Sequence, residues 1–110
     1  MDLSLPQDKK LTALCRVEPG CLGPSGNDYI EEFCKFTQIQ IENVDADFVY
    51  WQIIPRHDKS LAEMEYKINN KTITRNQAAI YLDKISRNLD EFEEFFHEIL
   101  IELIEEYTNS

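Results

Sequence analysis

Apolar residues recur every three or four positions in the first part of the chain, which is the period of an α-helix. Leu11, Leu14 and Cys15 form one such stripe and predict a first helix, from about residue 4 to about residue 16. A longer stripe from Ile30 to Val44 predicts a second helix that ends near residue 43. Its last part alternates around residues 39–41, which is also typical of a strand.

A loop at residues 18–26 separates these two predicted helices and contains all three glycines of the chain. Gly20, Gly23 and Gly26 recur every three residues just before a helix, as in loops that bind phosphate. No lysine follows the last glycine, no clear strand precedes the loop, and acidic residues follow it from Asp28 onward. A structural turn between two helices is therefore favoured over a phosphate site.

The middle of the chain changes to the patterns of β-strands. Residues 48–54 are almost continuously apolar, which predicts a strand covered on both faces, and Pro55 ends it. Apolar and charged residues alternate over residues 62–68, as in a strand with one exposed face. The pair Asn69-Asn70 predicts a two-residue turn into a short third strand at residues 71–73.

Two capping signals divide the remainder into helices. Thr74 and Gln77 form a capping box at the start of a helix that ends near residue 87, and Asn88 caps a last helix. The predicted fold is α+β, with two N-terminal helices, a small antiparallel sheet of about three strands and two C-terminal helices. The chain has 110 residues, 43% of them hydrophobic, and residues 1–110 are expected to form a single domain.

Negative charge is concentrated in the last predicted helix. The chain has 21 acidic and 11 basic residues, and eight of the acids lie between Leu89 and Tyr107, where there is no lysine or arginine. Such a surface favours basic partners and disfavours nucleic acid, whose binding needs a basic stripe. Helices that lie on anionic lipid also carry basic residues opposite their apolar face. We therefore expect a basic or amphipathic protein partner, no nucleic acid and no membrane.

The apolar residues of this helix fill about half of a helical wheel, more than the roughly 100° that packing on one neighbour needs. We expect the surplus to contact a partner, and a homodimer through this helix is one form of that contact. The alternative is that all these apolar residues belong to the core. The predicted partner-binding residues lie on the acidic face and at its border: Glu94, Phe95, Glu98, Ile99, Ile101, Glu102 and Glu105.

Candidate chemistry is limited to cysteines and histidines. Cys15, Cys21 and Cys34 make an odd count in a chain with no leader-like apolar run near residue 1, which favours reduced thiols in a cytoplasmic protein. Their spacing lacks the close cysteine pair of structural zinc sites, so no metal or cofactor is expected. The loop at residues 57–60 contains a histidine, an aspartate and a serine, but the members of a catalytic triad normally come from distant segments. The protein is predicted not to be an enzyme, and a small enzyme or metal-dependent protein centred on Cys21, Cys34 and His57 is the alternative.

The order of a helix, a short antiparallel sheet and a terminal amphipathic acidic helix resembles bacterial type III secretion chaperones. Members of that family are dimers that hold an extended segment of a partner, so the resemblance implies a chaperone-like role. It is a resemblance of architecture and transfers no site residues. The leading hypothesis is a small acidic, non-catalytic protein-binding adaptor or chaperone-like domain that uses its acidic C-terminal helix. A nucleic-acid-mimicking inhibitor, whose acidic helix occupies a basic protein groove, is a further alternative.

Overall fold

The computed structural model describes residues 9–109. Its strands are β1 (Leu11–Val17), β2 (Val49–Pro55), β3 (Met64–Ile68) and β4 (Lys71–Ile73), and its α-helices are α1 (Gly26–Ile41), α2 (Arg75–Lys84) and α3 (Leu89–Thr108). A short 3₁₀ helix, Pro19–Leu22, lies between β1 and α1. The described chain therefore has an α+β fold, and the predicted class is correct.

The four strands form one sheet in the order β2-β1-β3-β4. β1 and β2 are parallel, with Leu11 opposite Val49 and Val17 opposite Pro55, and α1 is the crossover that connects them. β3 pairs antiparallel with both β1 and β4. The sheet is therefore mixed and four-stranded, and the prediction of about three antiparallel strands is wrong. A parallel pair needs a long crossover connection, which no local pattern reveals.

The segment predicted as the first helix is the central strand β1. Its alternate residues Leu11, Ala13, Cys15 and Val17 are all buried, so the two-residue period prevails over the helical spacing of Leu11, Leu14 and Cys15. Its place between β2 and β3 provides hydrogen-bonding partners for both edges of its backbone, and this outweighs a weak local preference. The predicted start of that helix, near residue 4, lies outside the described residues.

Helices α1 and α3 share one hydrophobic core with the sheet. Trp51 of β2 stacks on Phe92 and Phe96 of α3, with ring centroids 5.3 and 5.2 Å apart. Phe33 of α1 makes an edge contact with Tyr107 near the end of α3, at 5.2 Å between centroids. Apart from Leu14, the buried residues of β1, β2 and β3 belong to the same cluster. The ring contacts of Trp51 therefore fix α3 against the sheet.

Strand β2 is covered on one face only. Its side chains Tyr50 and Ile54 point away from this core and are exposed, so the predicted burial of both faces is wrong.

The Asn69-Asn70 turn, with φ angles of 52° and 65°, is confirmed. The capping box of α2 and the Asn88 cap of α3 are confirmed as well.

Candidate partner-binding surface

Helix α3 positions the predicted partner-binding residues. The side-chain oxygen of Asn88 accepts a hydrogen bond from the backbone N–H of Glu91 at 3.0 Å, and the acidic first turn suits the positive end of the helix dipole. Four apolar side chains are buried and four more pack partly on the core: Leu89, Phe92, Phe96 and Leu103, then Ile99, Leu100, Ile104 and Tyr107. The core thus uses most of the wide apolar arc that suggested a partner.

Two large apolar side chains of α3 remain exposed. Phe95 is 50% exposed and Ile101 is 57% exposed, and Glu98 lies within one helical turn of each. We call the exposed surface around them the outer face of α3; it consists of Glu91, Glu94, Phe95, Glu98, Ile101, Glu102 and Glu105. It contains the predicted partner-binding residues except Ile99, which packs partly against the core.

The carboxylates of α3 divide into paired and unpaired groups. Arg75 of α2 donates to Asp90 at 2.7 Å and to Glu93 at 2.6 Å. Glu93 also accepts a hydrogen bond from the hydroxyl of Tyr66, at 2.8 Å. Among residues 9–109, no lysine, arginine or histidine lies within ion-pair distance of a carboxylate of the outer face. The outer face therefore keeps uncompensated negative charge, which attracts basic ligands over about 10 Å at 0.1 M salt.

A groove of about 480 Å³ opens beside Phe95. Phe48, Phe92 and Phe95 provide aromatic surface in it, and Asp45 and Arg87 are among its polar residues. The guanidinium of Arg87 lies 5.2 Å from the centre of the Phe48 ring and 3.8 Å from the carboxylate of Asp45. An aromatic recess next to an acidic helix face can accept a side chain that is apolar along its length and flanked by positive charge.

Two residues lining this groove hold a left-handed backbone conformation. Asp45 has a φ of 51° and Ser86 a φ of 62°. Non-glycine residues in this region cost about 1–3 kcal/mol each and are found preferentially at functional sites. The carbonyl of Asp45 accepts hydrogen bonds from the N–H groups of Phe48 and Val49, at 3.1 and 2.9 Å. Sequence reasoning missed the groove because it forms where two turns, distant in sequence, meet; the Asn88 cap was the only signal of either turn.

The residues of the alternative catalytic or metal site lie apart. Cys34 and His57 line a groove of about 630 Å³ between α1 and the end of β2, whereas Cys21 lines a different cavity together with Cys15 and His97. Burial raises the pKa of Cys15 and of Cys34 to about 12, so both thiols are protonated at neutral pH and are weak nucleophiles. In the described part of the chain, no three His, Cys, Asp or Glu side chains are grouped so that they could hold a metal ion.

A polar cavity of about 340 Å³ connects the glycine-containing loop to the loop after β2. Strand β1 precedes the glycine-containing loop, so the expectation that no strand does is wrong. Arg56 at this cavity donates to Glu18 at 2.9 Å and to the carbonyl oxygens of Lys59 and Leu61 at 3.0–3.1 Å. The hydroxyl of Ser60 donates to Asp58 at 2.6 Å. The contact of Arg56 with Glu18 ties the two loops together, which is a structural role for Arg56.

Comparisons with protein-family models, with curated protein sequences and with solved structures found no match to this chain. The resemblance to type III secretion chaperones assumed a helix followed by an antiparallel sheet. The described chain instead places β1 before α1 and pairs it in parallel with β2, so the fold gives that resemblance no support. No helix within residues 9–109 is long and apolar enough to cross a membrane.

Proposed function

We propose that this chain is a non-catalytic protein-binding domain that holds a basic, amphipathic segment of a partner protein against the outer face of α3. Phe95 is the main apolar contact. The observation that carries the proposal is the half-exposed ring of Phe95 at the mouth of an aromatic groove, next to carboxylates that lack ion-pair partners in the described chain. Single exposed apolar residues are common, but an aromatic ring combined with a concave surface and one sign of charge has the composition of a binding site.

Burial of Phe95 supplies affinity in this proposal. An aromatic side chain buries about 150–250 Å², so the exposed half of Phe95 offers roughly 100 Å². At about 25 cal/mol per Å² this area corresponds to about 2.5 kcal/mol. Because about 1.4 kcal/mol changes a dissociation constant tenfold, loss of the contact should weaken binding by roughly 60-fold.

The carboxylates of the outer face define the chemistry of the partner. Glu91 and Glu98 lie within one helical turn of Phe95, so a matching partner carries lysine or arginine on both sides of an apolar side chain. Arg87 already covers one face of the Phe48 ring, which leaves the outer face, and not the floor of the groove, for the partner's positive charge. Complementary charge contributes mainly to association rate and specificity.

The first test measures the apolar contact. A partner is captured from a lysate of the source cell on the immobilised chain, identified, purified and titrated by surface plasmon resonance. Phe95→Ala should raise the dissociation constant by roughly 60-fold, chiefly through faster dissociation. The control is Tyr29→Ala, because Tyr29 is an aromatic residue of α1 that is also 50% exposed. Equal effects of the two substitutions would contradict the proposal.

The second test measures the charge. Three outer-face residues, Glu94, Glu98 and Glu105, are changed together to lysine, and the control changes three exposed acids elsewhere: Glu31, Glu42 and Asp47. Both triple variants change the net charge equally, but only the first should slow association at low salt and reduce its dependence on salt. The same slowing in the control would mean that net charge, and not the outer face, guides the partner.

The same protein preparations separate the alternatives. For a nucleic-acid mimic, the captured partner would be a nucleic-acid-binding protein that releases the chain when its nucleic acid is added. For a homodimer through α3, the wild-type chain would sediment as a dimer at micromolar concentration and Phe95→Glu would give a folded monomer. For a metal-dependent protein centred on Cys34 and His57, the purified chain would contain near-stoichiometric zinc or iron.

A further inference from the structure

Within residues 9–109, strand β2 forms one edge of the sheet, because β1 is its only neighbour in the strand order. The segment Val49–Pro55 contains no charged residue. Edge strands normally carry charges, proline or a covering segment that prevents pairing with another chain. β2 has a proline at its end only, so another device must close the rest of this edge.

The surroundings of the edge are also apolar on both sides. Ile39 of α1, which is 64% exposed, lines the same groove as Ile53 and Pro55. Tyr50 and Ile54 are exposed on the opposite face of the sheet. A strand added to this edge would find apolar side chains above and below it, as a buried strand requires.

The backbone of β2 alternates between its neighbour β1 and the open edge. The carbonyl of Phe48 accepts a hydrogen bond from the N–H of Leu11, and the backbone N–H of Arg56 donates to the carbonyl of Val17, both at 2.9 Å. By this alternation the backbone groups of Trp51 and Ile53 point outward, towards the open edge.

One side-chain amide satisfies two of these outward groups, the carbonyl of Trp51 and the N–H of Ile53. Gln38 of α1 donates through Nε2 to the carbonyl of Trp51 at 2.8 Å and accepts through Oε1 from the N–H of Ile53 at 2.9 Å. The amide therefore provides the donor and the acceptor that a residue of a neighbouring strand would provide. The N–H of Val49 is satisfied by the carbonyl of Asp45, and Pro55 has no N–H to offer.

We propose that the β2 edge is a latent self-association surface of this chain and that the side chain of Gln38 keeps it closed. The occupant of the opened edge is a second copy, whose β2 pairs antiparallel about a twofold axis. Two identical uncharged edges present the same donors and acceptors, so each satisfies the other in an isologous contact. Exposed Ile39 of each copy lies beside this contact and loses its exposure to water in the pair. The net charge of −10 opposes the pairing, so it is strongest at high salt.

The test compares four variants with the wild-type chain by sedimentation velocity at high salt over a range of micromolar concentrations. Gln38→Ala and the nearly isosteric Gln38→Met remove both hydrogen bonds and should dimerise at least tenfold more tightly than the wild type. Gln38→Glu keeps an acceptor for Ile53 but places a charge on the edge, so it should not associate. Gln40→Ala is the matched control, because Gln40 is an exposed glutamine of the same helix. Any association through α3 is common to all five proteins and cancels in the comparison.

Amide hydrogen exchange of Ile53 provides a readout that does not depend on association. In dilute Gln38→Met the exchange of this amide should be at least tenfold faster than in the wild type, and it should slow again as the protein is concentrated. Monomeric Gln38→Ala or Gln38→Met with a rapidly exchanging Ile53 amide would overturn the proposal, because the edge would then be open without pairing. Equal association of Gln40→Ala would overturn it as well. If Gln38→Ala fails to fold, Gln38→Met decides, since it retains the side-chain volume.

Discussion

Glu93 is the acidic residue of α3 whose removal should destabilise the fold most. Its carboxylate accepts a hydrogen bond from the hydroxyl of Tyr66 at 2.8 Å and forms an ion pair with Arg75 at 2.6 Å. It thereby connects α3 to strand β3 and to helix α2. Its neighbour Glu94 is exposed and has no ion pair with a described residue. The two adjacent glutamates therefore form a matched pair of substitution sites, one structural and one not.

The size of the expected destabilisation follows from the burial of Tyr66, which is 3% exposed. Glu93→Ala leaves its hydroxyl without the acceptor, and an unsatisfied buried polar group costs about 1–3 kcal/mol. The pair with Arg75 adds only about 0–1 kcal/mol, because Arg75 is well exposed and its interaction is screened by solvent. Glu93→Ala should lower the free energy of unfolding by about 2 kcal/mol, which corresponds to roughly 10 °C in Tm.

Two further variants separate the hydrogen bond from the charge. Glu93→Gln keeps an oxygen that can accept from Tyr66 and loses only the charge, so it should cost less than about 1 kcal/mol. Glu94→Ala should change stability by no more than about 0.5 kcal/mol, as is usual for surface substitutions. The expected order of stability is wild type and Glu94→Ala, then Glu93→Gln, then Glu93→Ala.

Urea denaturation followed by tryptophan fluorescence is the suitable assay. Trp51 is the only tryptophan, and it stacks on Phe92 and Phe96 of α3, so its emission reports the packing of that helix on the sheet. Equal midpoints for Glu93→Ala and Glu94→Ala would refute the reasoning. In a Tyr66→Phe background Glu93→Ala should cost less, because the hydroxyl is already absent. An unchanged cost there would assign the effect to Arg75 instead.

Two other predictions concern backbone packing and pH. Gly26→Ala should destabilise the fold by about 1–3 kcal/mol in urea denaturation, because its Cβ would lie 1.7 Å from the carbonyl oxygen of Pro19 and the backbone would have to move. Gly20→Ala meets no atom within 4 Å and is the control; a similar loss there would contradict the explanation. Burial raises the pKa of Cys15 and Cys34 from 9.0 to about 12, so between these pH values the two thiols ionise in the unfolded chain but not in the folded one. Their contribution to stability should therefore be complete below pH 9 and fall as pH rises towards 12. The urea midpoint measured below and above pH 9 checks this, and a Cys15→Ala variant should show a smaller decline.

Features that depend on a few neighbouring residues were predictable from the sequence. The capping box needs only Thr74 and Gln77, whose side chains reach each other's backbone within one turn. The Asn69-Asn70 hairpin turn needs two residues that tolerate positive φ. The negative charge and the amphipathic pattern of α3 are likewise properties of one continuous segment, and the exposed positions of Phe95 and Ile101 followed from that pattern.

The tertiary structure decided the features that join distant segments. The sequence 11–17 fits both a helix and a strand, and it became β1 because residues 49–55 and 64–68 supply hydrogen bonds to its two edges. The width of the apolar arc on α3 could not show how much of it the core would use, because that depends on contacts such as those of Trp51. The groove beside Phe95 and the closure of β2 by Gln38 depend on pairs of segments that no local pattern relates. Interactions within one turn are encoded where they act, whereas these contacts exist only after the chain has brought separate segments together.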